Sequence, residues 1–313
     1  MAKSSRTRSL ITLHLIILLL GFTGILGKLI TIGSTLLVWY RMLIAFVVLW
    51  IYLAIRKEIR NIPKKYQLKL MGIGAIVALH WILFFESIKV ANISVAVVCL
   101  STASLLSAFL EPLFFKRKLR GYEVLFGCIV IFGLSLAFDA DTNYKWGYIY
   151  GILSAFFASI FTNLNGLYVE KLGSSKLSLL EMLGGFITIS LYLPFTDSIG
   201  WDSFIISSTD LFYLLILGIV CTAYAFVVSV KVMEQLTPFT VTTAFNLEPI
   251  YSIIFAILIF SDTETMSLQF YIGVFCIISV VALDGYFKSQ KTQEKVKAIL
   301  RRTRNSKRAN RPE

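Results

Sequence analysis

Charge is scarce in this sequence. Asp, Glu, Lys and Arg make up 15% of its 313 residues, where a soluble domain carries about 25%. Hydrophobic residues make up 57%, and mean hydropathy is +0.77. One soluble core does not need so much apolar sequence, whereas a lipid-facing surface does. Cysteine is scarce as well. Cys99, Cys128, Cys221 and Cys276 all fall inside apolar segments without CxxC spacing, which argues against a disulfide framework or a zinc site. Histidine is limited to His14 and His80, and there is neither an H-E-x-x-H pair nor a G-x-S-x-G elbow. An intramembrane enzyme or lipid-handling protein is therefore the weaker alternative, and the chain reads as no enzyme. No G-x-x-x-x-G-K-[ST] loop occurs, so ATP is not expected to act on this chain, and no cofactor is indicated.

What is abundant is long apolar runs. A spanning helix needs about 20 apolar residues at about 1.5 Å each. Ten candidates qualify: 10–30, 36–55, 68–88, 93–115, 122–138, 147–168, 177–195, 211–232, 238–260 and 268–287. Lys3, Arg6 and Arg8 before the first run imitate a signal peptide, but the run is long enough to span and has no small-x-small cleavage site, so it is kept as the first helix.

The net charge of +12 is explained by where the basic residues fall. With the N-terminus in the cytoplasm and one crossing per run, all but four of the 30 Lys and Arg residues lie on the cytoplasmic side. The four are Lys89 and Lys145 on the far side and Lys28 and Arg41 within helices, while Asp139, Asp141, Asp197, Asp202, Asp210, Asp262 and Glu264 collect in the far-side loops. This satisfies the positive-inside rule with both termini cytoplasmic, and no nucleic-acid partner is needed to account for the charge.

Shifted by about 145 residues, the halves repeat in pattern, as an internal duplication does. LKLMGIGAIVALHWILFFESIKVANISVAVV parallels FYLLILGIVCTAYAFVVSVKVMEQLTPFTVTT, and CLSTASLLSAFLEPLFFKRKL parallels FNLEPIYSIIFAILIFSDTET. Five spans per half is an odd number, so the second half enters from the opposite side. The expected fold is an all-α membrane protein of ten transmembrane helices, built as two inverted five-helix repeats at 10–140 and 147–287, followed by a basic cytoplasmic tail at 288–313. Such repeats are typical of secondary transporters, with the site near the midplane between the halves.

Together with WYRMLIAFVVLW, HWILFFESIKVANISVAVV and FNLEPIYSIIFAILIF, the two repeats resemble the EamA-type permeases of the drug/metabolite transporter superfamily. The resemblance covers nearly the whole chain. It departs where the family often ends its fourth helix with Gly-Glu, because this half has Lys116-Arg117-Lys118, while Glu264 holds the equivalent place in the second half. The resemblance implies a permease for small metabolites such as amino acids, working by alternating access in the plasma (inner) membrane, with export the expected direction.

Ionisable groups deep in a bilayer cost about 2.5–3.5 kcal/mol each on insertion scales and mark sites by default. Glu248, followed by Pro249, is expected in the middle of the ninth helix, with a kink that frees the carbonyl of Phe245 near Thr242, Thr243 and Asn246. It reads either as a substrate or proton-coupling carboxylate or as a carboxyl held for packing. His80, beside Trp81 and one turn from Phe84, reads either as a substrate contact and titrating group or as a helix–helix hydrogen bond. Arg41, directly after Trp39 and Tyr40, either forks onto an anionic group or snorkels to the interface. Lys28 is expected to snorkel, and Glu111 to pair with the Lys116–Arg120 cluster. The substrate-binding candidates are Arg41, His80, Trp81, Asn163, Tyr224, Asn246 and Glu248, with Glu248 and His80 the proton-coupling candidates. The tail, with Lys295, Lys297, Arg301, Arg302, Arg304, Lys307 and Arg308, reads either as an interfacial helix on anionic lipid or as a disordered topology anchor.

Overall fold

The computed structural model describes residues 2–59, 62–115, 121–140, 142–195, 200–231, 247–280, 282–283 and 286. These residues are helical throughout, apart from short turns and 3-10 segments. The helices are α1 (Ala2–Leu29), α2 (Ser34–Ile55), α3 (Lys64–Val90), α4 (Ile93–Ser101), α5 (Ala103–Phe115) and α6 (Gly121–Ala140), then α7 (Lys145–Leu172) and α8 (Ser174–Tyr192). Next come α9 (Ser208–Leu215), a π-helical stretch (Ile216–Tyr224), α10 (Ala225–Lys231), α11 (Glu248–Glu264) and α12 (Leu268–Val280). Among the described residues, six helices are long and apolar enough to cross a membrane, and four shorter apolar helices accompany them. That gives ten apolar helices among the described residues, the number the hydropathy pattern requires.

Several helices outrun their apolar cores. α1 starts at Ala2 rather than residue 10, and α3 at Lys64 rather than residue 68. Lys and Arg are good helix formers, so a helix continues into a basic flank until something stops it. The stops are specific. Pro63 precedes α3, and the Asn92 side chain accepts the Val95 N–H at 2.8 Å to cap α4. Gly173 alone separates α7 from α8, at φ 75° and ψ 155°, a conformation open essentially to glycine.

Two crossings are irregular in ways hydropathy does not reveal. The fourth is divided at Thr102, whose backbone N–H and hydroxyl both turn back to the Cys99 carbonyl. The eighth is wound as a π-helix for nine residues between α9 and α10. The expected kink of the ninth helix at Phe245 falls outside the described residues. The described helix α11 begins at Glu248 with Pro249 in its first turn, where a missing N–H costs nothing. Phe245, Thr242, Thr243, Asn246, the Lys116–Arg120 cluster and the 288–313 tail lie outside the described residues.

The halves interleave. α3 packs chiefly on α7 and α8, α2 on α8 and the π stretch, α4 and α5 on α7, and α11 on α1 and α4. Most of the core is thus built between the two sequence halves. Glycines bring backbones together at these crossings. A side chain at Gly74 would meet the backbone of Glu181, and one at Gly184 would meet the backbone of Met71. The outward surface is apolar, with Ile55, Leu68, Leu113, Phe195, Leu258 and Phe275 largely exposed. A continuous apolar exterior of this kind calls for lipid rather than water.

Polar links close one end of the bundle. Lys28 Nζ lies 2.7 Å from Glu264 Oε1, and Glu264 also accepts the Ile93 N–H, the Ser94 N–H and the Ser94 hydroxyl. Asp210 accepts the Thr31 N–H at 2.8 Å and its hydroxyl at 2.7 Å. Lys89 Nζ donates to the Ile30 carbonyl at 2.9 Å. Lys28 is therefore ion-paired rather than simply snorkelling, because α11 delivers a fully buried carboxylate to it. At the opposite end, Lys176 Nζ stands 3.7 Å from Glu58, and Tyr66 packs edge-on against Tyr168.

Candidate functional site

Arg41 lies seven residues into α2, about 10 Å along the axis from Ser34. Its side chain turns inward and is 2% exposed. The guanidinium carbon sits 3.8 Å from the centre of the Trp81 ring and 5.5 Å from that of Phe85. Stacking on desolvated aromatic faces is worth about 2 kcal/mol, which offsets part of the cost of burying the charge. Snorkelling is thereby excluded for Arg41.

The π stretch supplies the next contact. Arg41 Nε donates to Thr222 Oγ1 at 2.7 Å, and that hydroxyl donates to the Leu217 carbonyl, five residues back, at 2.7 Å. A five-residue reach is the spacing a π turn creates, and π turns recur at functional sites. α2 approaches this stretch at Gly218, where a Cβ would contact Ile44 and stand 3.4 Å from the Arg41 carbonyl.

Not all of the hydrogen-bonding capacity here is used. Among the described residues Arg41 Nη1 is buried without a partner. Cys221 neighbours Arg41 and lies within hydrogen-bond reach of the buried Thr23 hydroxyl. Buried polar groups in folded proteins are almost always paired, so an unpaired guanidinium nitrogen requires an explanation. Glu248, at the start of α11, is within electrostatic reach of Arg41, yet among the described residues neither forms an ion pair.

His80 is 6% exposed and held by Ser154 of α7. Its Nδ1 is 2.9 Å from the Ser154 carbonyl and 2.8 Å from the Ser154 hydroxyl, which in turn donates to the His80 carbonyl at 3.0 Å. A carbonyl can only accept, so Nδ1 carries the hydrogen and Nε2 holds the lone pair of the neutral ring. The ring also packs against Phe161 and lies within electrostatic reach of Arg41. His80 thus serves as a hydrogen bond between the halves while standing beside the Arg41 cluster.

The structure therefore brings Arg41, His80, Trp81 and Glu248 into one neighbourhood and adds Thr222, Cys221, Phe85 and Thr23, which sequence reading passed over. Asn163 is buried elsewhere, donating to Ser107 Oγ on α5 and to the Ser159 carbonyl. Tyr224 is 54% exposed on the bundle surface, away from the cluster. Asn246 lies outside the described residues. Thr222 and Cys221 were recoverable only from knowledge of the π winding, since at regular helical spacing nothing selects them.

Two regions of the chain, 7–138 and 145–283, each match the model of the EamA-like transporter family. The chain belongs to the EamA-like transporter family. Its duplicated family domains and ten apolar helices form a multi-pass, all-helical membrane protein. Among its relatives, an uncharacterized transporter of Haemophilus influenzae is 28% identical over 170 residues, which is 51% of this chain and 55% of that protein. The uncharacterized transporter YdfC of Bacillus subtilis is 26% identical over 193 residues, 59% of this chain and 62% of that one. The chain thus spans under two thirds of the length of the curated relatives it matches. One solved crystal structure superposes with a TM-score of 0.60 at 16% identity, over 88% of this chain and 97% of that one, a likeness of fold alone. The Arg41 cluster draws on α2, α3, the π stretch and α11, so it lies between the two EamA domains.

Proposed function

We propose that this chain is a secondary transporter that carries a small metabolite across the plasma (inner) membrane by alternating access, with both termini cytoplasmic. The substrate class we propose is a zwitterion such as an amino acid. The observation that carries this reading is the buried Arg41 Nη1 without a partner, stacked on Trp81 and within electrostatic reach of Glu248. A carboxylate would complete the guanidinium, and an ammonium group would suit Glu248. Charge-assisted hydrogen bonds of this kind are short and about twice as strong as neutral ones. Without a substrate, Arg41 and Glu248 compensate each other only at a distance, and a zwitterion between them would bring each a direct partner.

Export is the direction we propose. Under the positive-inside orientation the end closed by Lys28–Glu264 and Asp210–Thr31 faces outward, which suits a carrier waiting to load from the cytoplasm. Transport against a gradient would then draw on an ion or proton gradient, with Glu248 and His80 as candidate coupling groups. The basic tail would rest on anionic lipid.

The test is counterflow in proteoliposomes with pooled labelled amino acids and related metabolites, with and without a pH gradient. Saturable flux accelerated by substrate on the opposite side is expected. If Glu248→Gln and His80→Ala both leave flux and its pH response unchanged, the Arg41–Glu248 site is misplaced.

A further inference from the structure

A second buried charge centre lies apart from the Arg41 cluster. Glu181 of α8 is 0% exposed, and among the described residues neither carboxylate oxygen makes a well-formed hydrogen bond, the Asn165 side chain standing nearest. Its polar neighbour is the side chain of Asn165 on α7, whose Oδ1 is also buried and unpartnered. Ser178, three residues earlier and hence on the same face of α8, has a buried hydroxyl without a partner as well. Three acceptor oxygens therefore face this locus, and the Ser178 hydroxyl is idle beside them.

Among the described residues the surroundings give the carboxyl no ion-pair partner. Against α8 pack α2 with Arg41, α3 with Lys69 and His80, α7 with Lys171, and α10, which ends at Lys231, while α8 itself carries Lys176. No salt bridge joins any of these described side chains to Glu181, whose nearest polar neighbour is Asn165. An unpaired carboxylate inside a low-dielectric core is far more costly than a neutral carboxyl. A metal cation would want six or more oxygens, more than this locus offers. One proton does fit: with the Asn165 amide turned so that Oδ1 rather than its N–H faces the carboxyl, a Glu181 O–H donates to Oδ1 and removes two orphans together.

The position makes this proton matter. Glu181 sits in the seam where α3 and α8, from different halves, come into backbone contact. Gly74 abuts the Glu181 backbone, Gly184 abuts Met71, and Gly185 abuts Met42 and the Gly74 carbonyl. In this arrangement the carboxyl is sealed from water. Parting of the seam would wet it and favour ionisation, and closing the seam would favour the protonated form.

We propose that Glu181 is a proton-binding site in the seam between the two halves, with Asn165 as its hydrogen-bond acceptor, and that its proton occupancy is linked to seam opening. The proton comes from bulk water and returns to it, so no other reactant is involved. By linkage, whatever favours the parted seam favours proton release. The site goes beyond the transport reading and stands on its own without it, because its test needs no substrate.

The test uses the full chain in liposomes. Infrared spectra at neutral pH are expected to show a protonated-carboxyl band that is lost in both Glu181→Gln and Glu181→Met. The methionine variant guards against misfolding, because an apolar side chain of similar size replaces a buried, poorly partnered polar group at little or no cost. Hydrogen exchange over 71–78 and 181–188, corrected for its intrinsic pH dependence, is expected to rise about tenfold in the native chain as the band disappears, a change of about 1.4 kcal/mol. It is expected to stay flat in Glu181→Met. A band that both variants retain, or one removed by sodium at constant pH, overturns the proton site. An equal rise in exchange with and without Glu181 overturns the link to the seam.

Discussion

Glu264 joins three helix ends through one carboxylate, taking the Lys28 ammonium at 2.7 Å on one side and the Ile93 and Ser94 backbone N–H groups on the other. The contact is both an ion pair and an anionic cap at the start of α4, where the helix dipole favours negative charge. A pair of this kind cannot be inverted. In a Lys28→Glu/Glu264→Lys double variant, an ammonium would confront two N–H donors, so the swap is expected to rescue nothing. Lys28→Met alone is expected to cost about 1–3 kcal/mol, below the range for a fully buried pair because Lys28 is 23% exposed. Thermal unfolding in detergent checks both, and a double variant as stable as the native chain would reduce Glu264 to a simple charge partner.

Arg41→Ala and Arg41→Lys separate charge from geometry. A hydrogen bond to a charged group is worth about 1.5–3 kcal/mol, so the alanine variant is expected to lose roughly tenfold to a hundredfold in kcat/KM for counterflow. Lysine keeps the charge but loses the planar stacking on Trp81 and the fork, so an intermediate loss is expected, mainly in KM. Unchanged KM in both variants would remove Arg41 from the substrate site.

The α3–α8 seam makes a sharp distinction between two glycines two residues apart. A Cβ at Gly74 runs into the backbone of Glu181, whereas one at Gly72 meets nothing within 4 Å. Gly72→Ala is therefore expected to stabilise the chain by about 0.5–1 kcal/mol through helix propensity. Gly74→Ala is expected to destabilise it, by about 1–3 kcal/mol, as overpacking does. Unfolding temperatures of the two variants in one detergent decide the matter, and similar values would mean that the seam is looser than described.

Ser154→Ala removes a hydroxyl from the His80 contact but leaves the carbonyl that fixes the ring. A loss of about 1 kcal/mol is expected, with the Nδ1–H form retained. Nitrogen NMR can read this directly because the chain has only two histidines. A switch to the Nε2–H form on this substitution would show that the hydroxyl, not the carbonyl, sets the tautomer.

Sequence alone made the ten crossings legible, because apolar length and basic flanks are one-dimensional signals. Arg41, His80 and Trp81 were legible as well, since a charge or imidazole deep in an apolar run stands out whatever it touches. Glu181 stands in an apolar run too, but close to the Lys171–Lys176 flank, and the sequence reading passed it over. Only the packing of Gly74 and Gly184 shows that it is sealed. Lys28 was misjudged because its partner is 236 residues away, and no spacing rule reaches that far. The π winding that positions Thr222 leaves no trace in composition. Tyr224 suggested a cavity-lining aromatic, yet it faces out of the bundle by the same winding that turns Thr222 inward.

The interleaving of the halves also bears on how the chain is made. His80 enters the bilayer 74 residues before Ser154, its hydrogen-bond partner, has been synthesised. At about 5–20 residues per second, the imidazole waits several seconds for that partner. Most of the α3 surface waits with it, since α7 and α8 are translated later. The first five helices are therefore an unfinished assembly at the insertion machinery, and the second half completes the core of the first as it arrives.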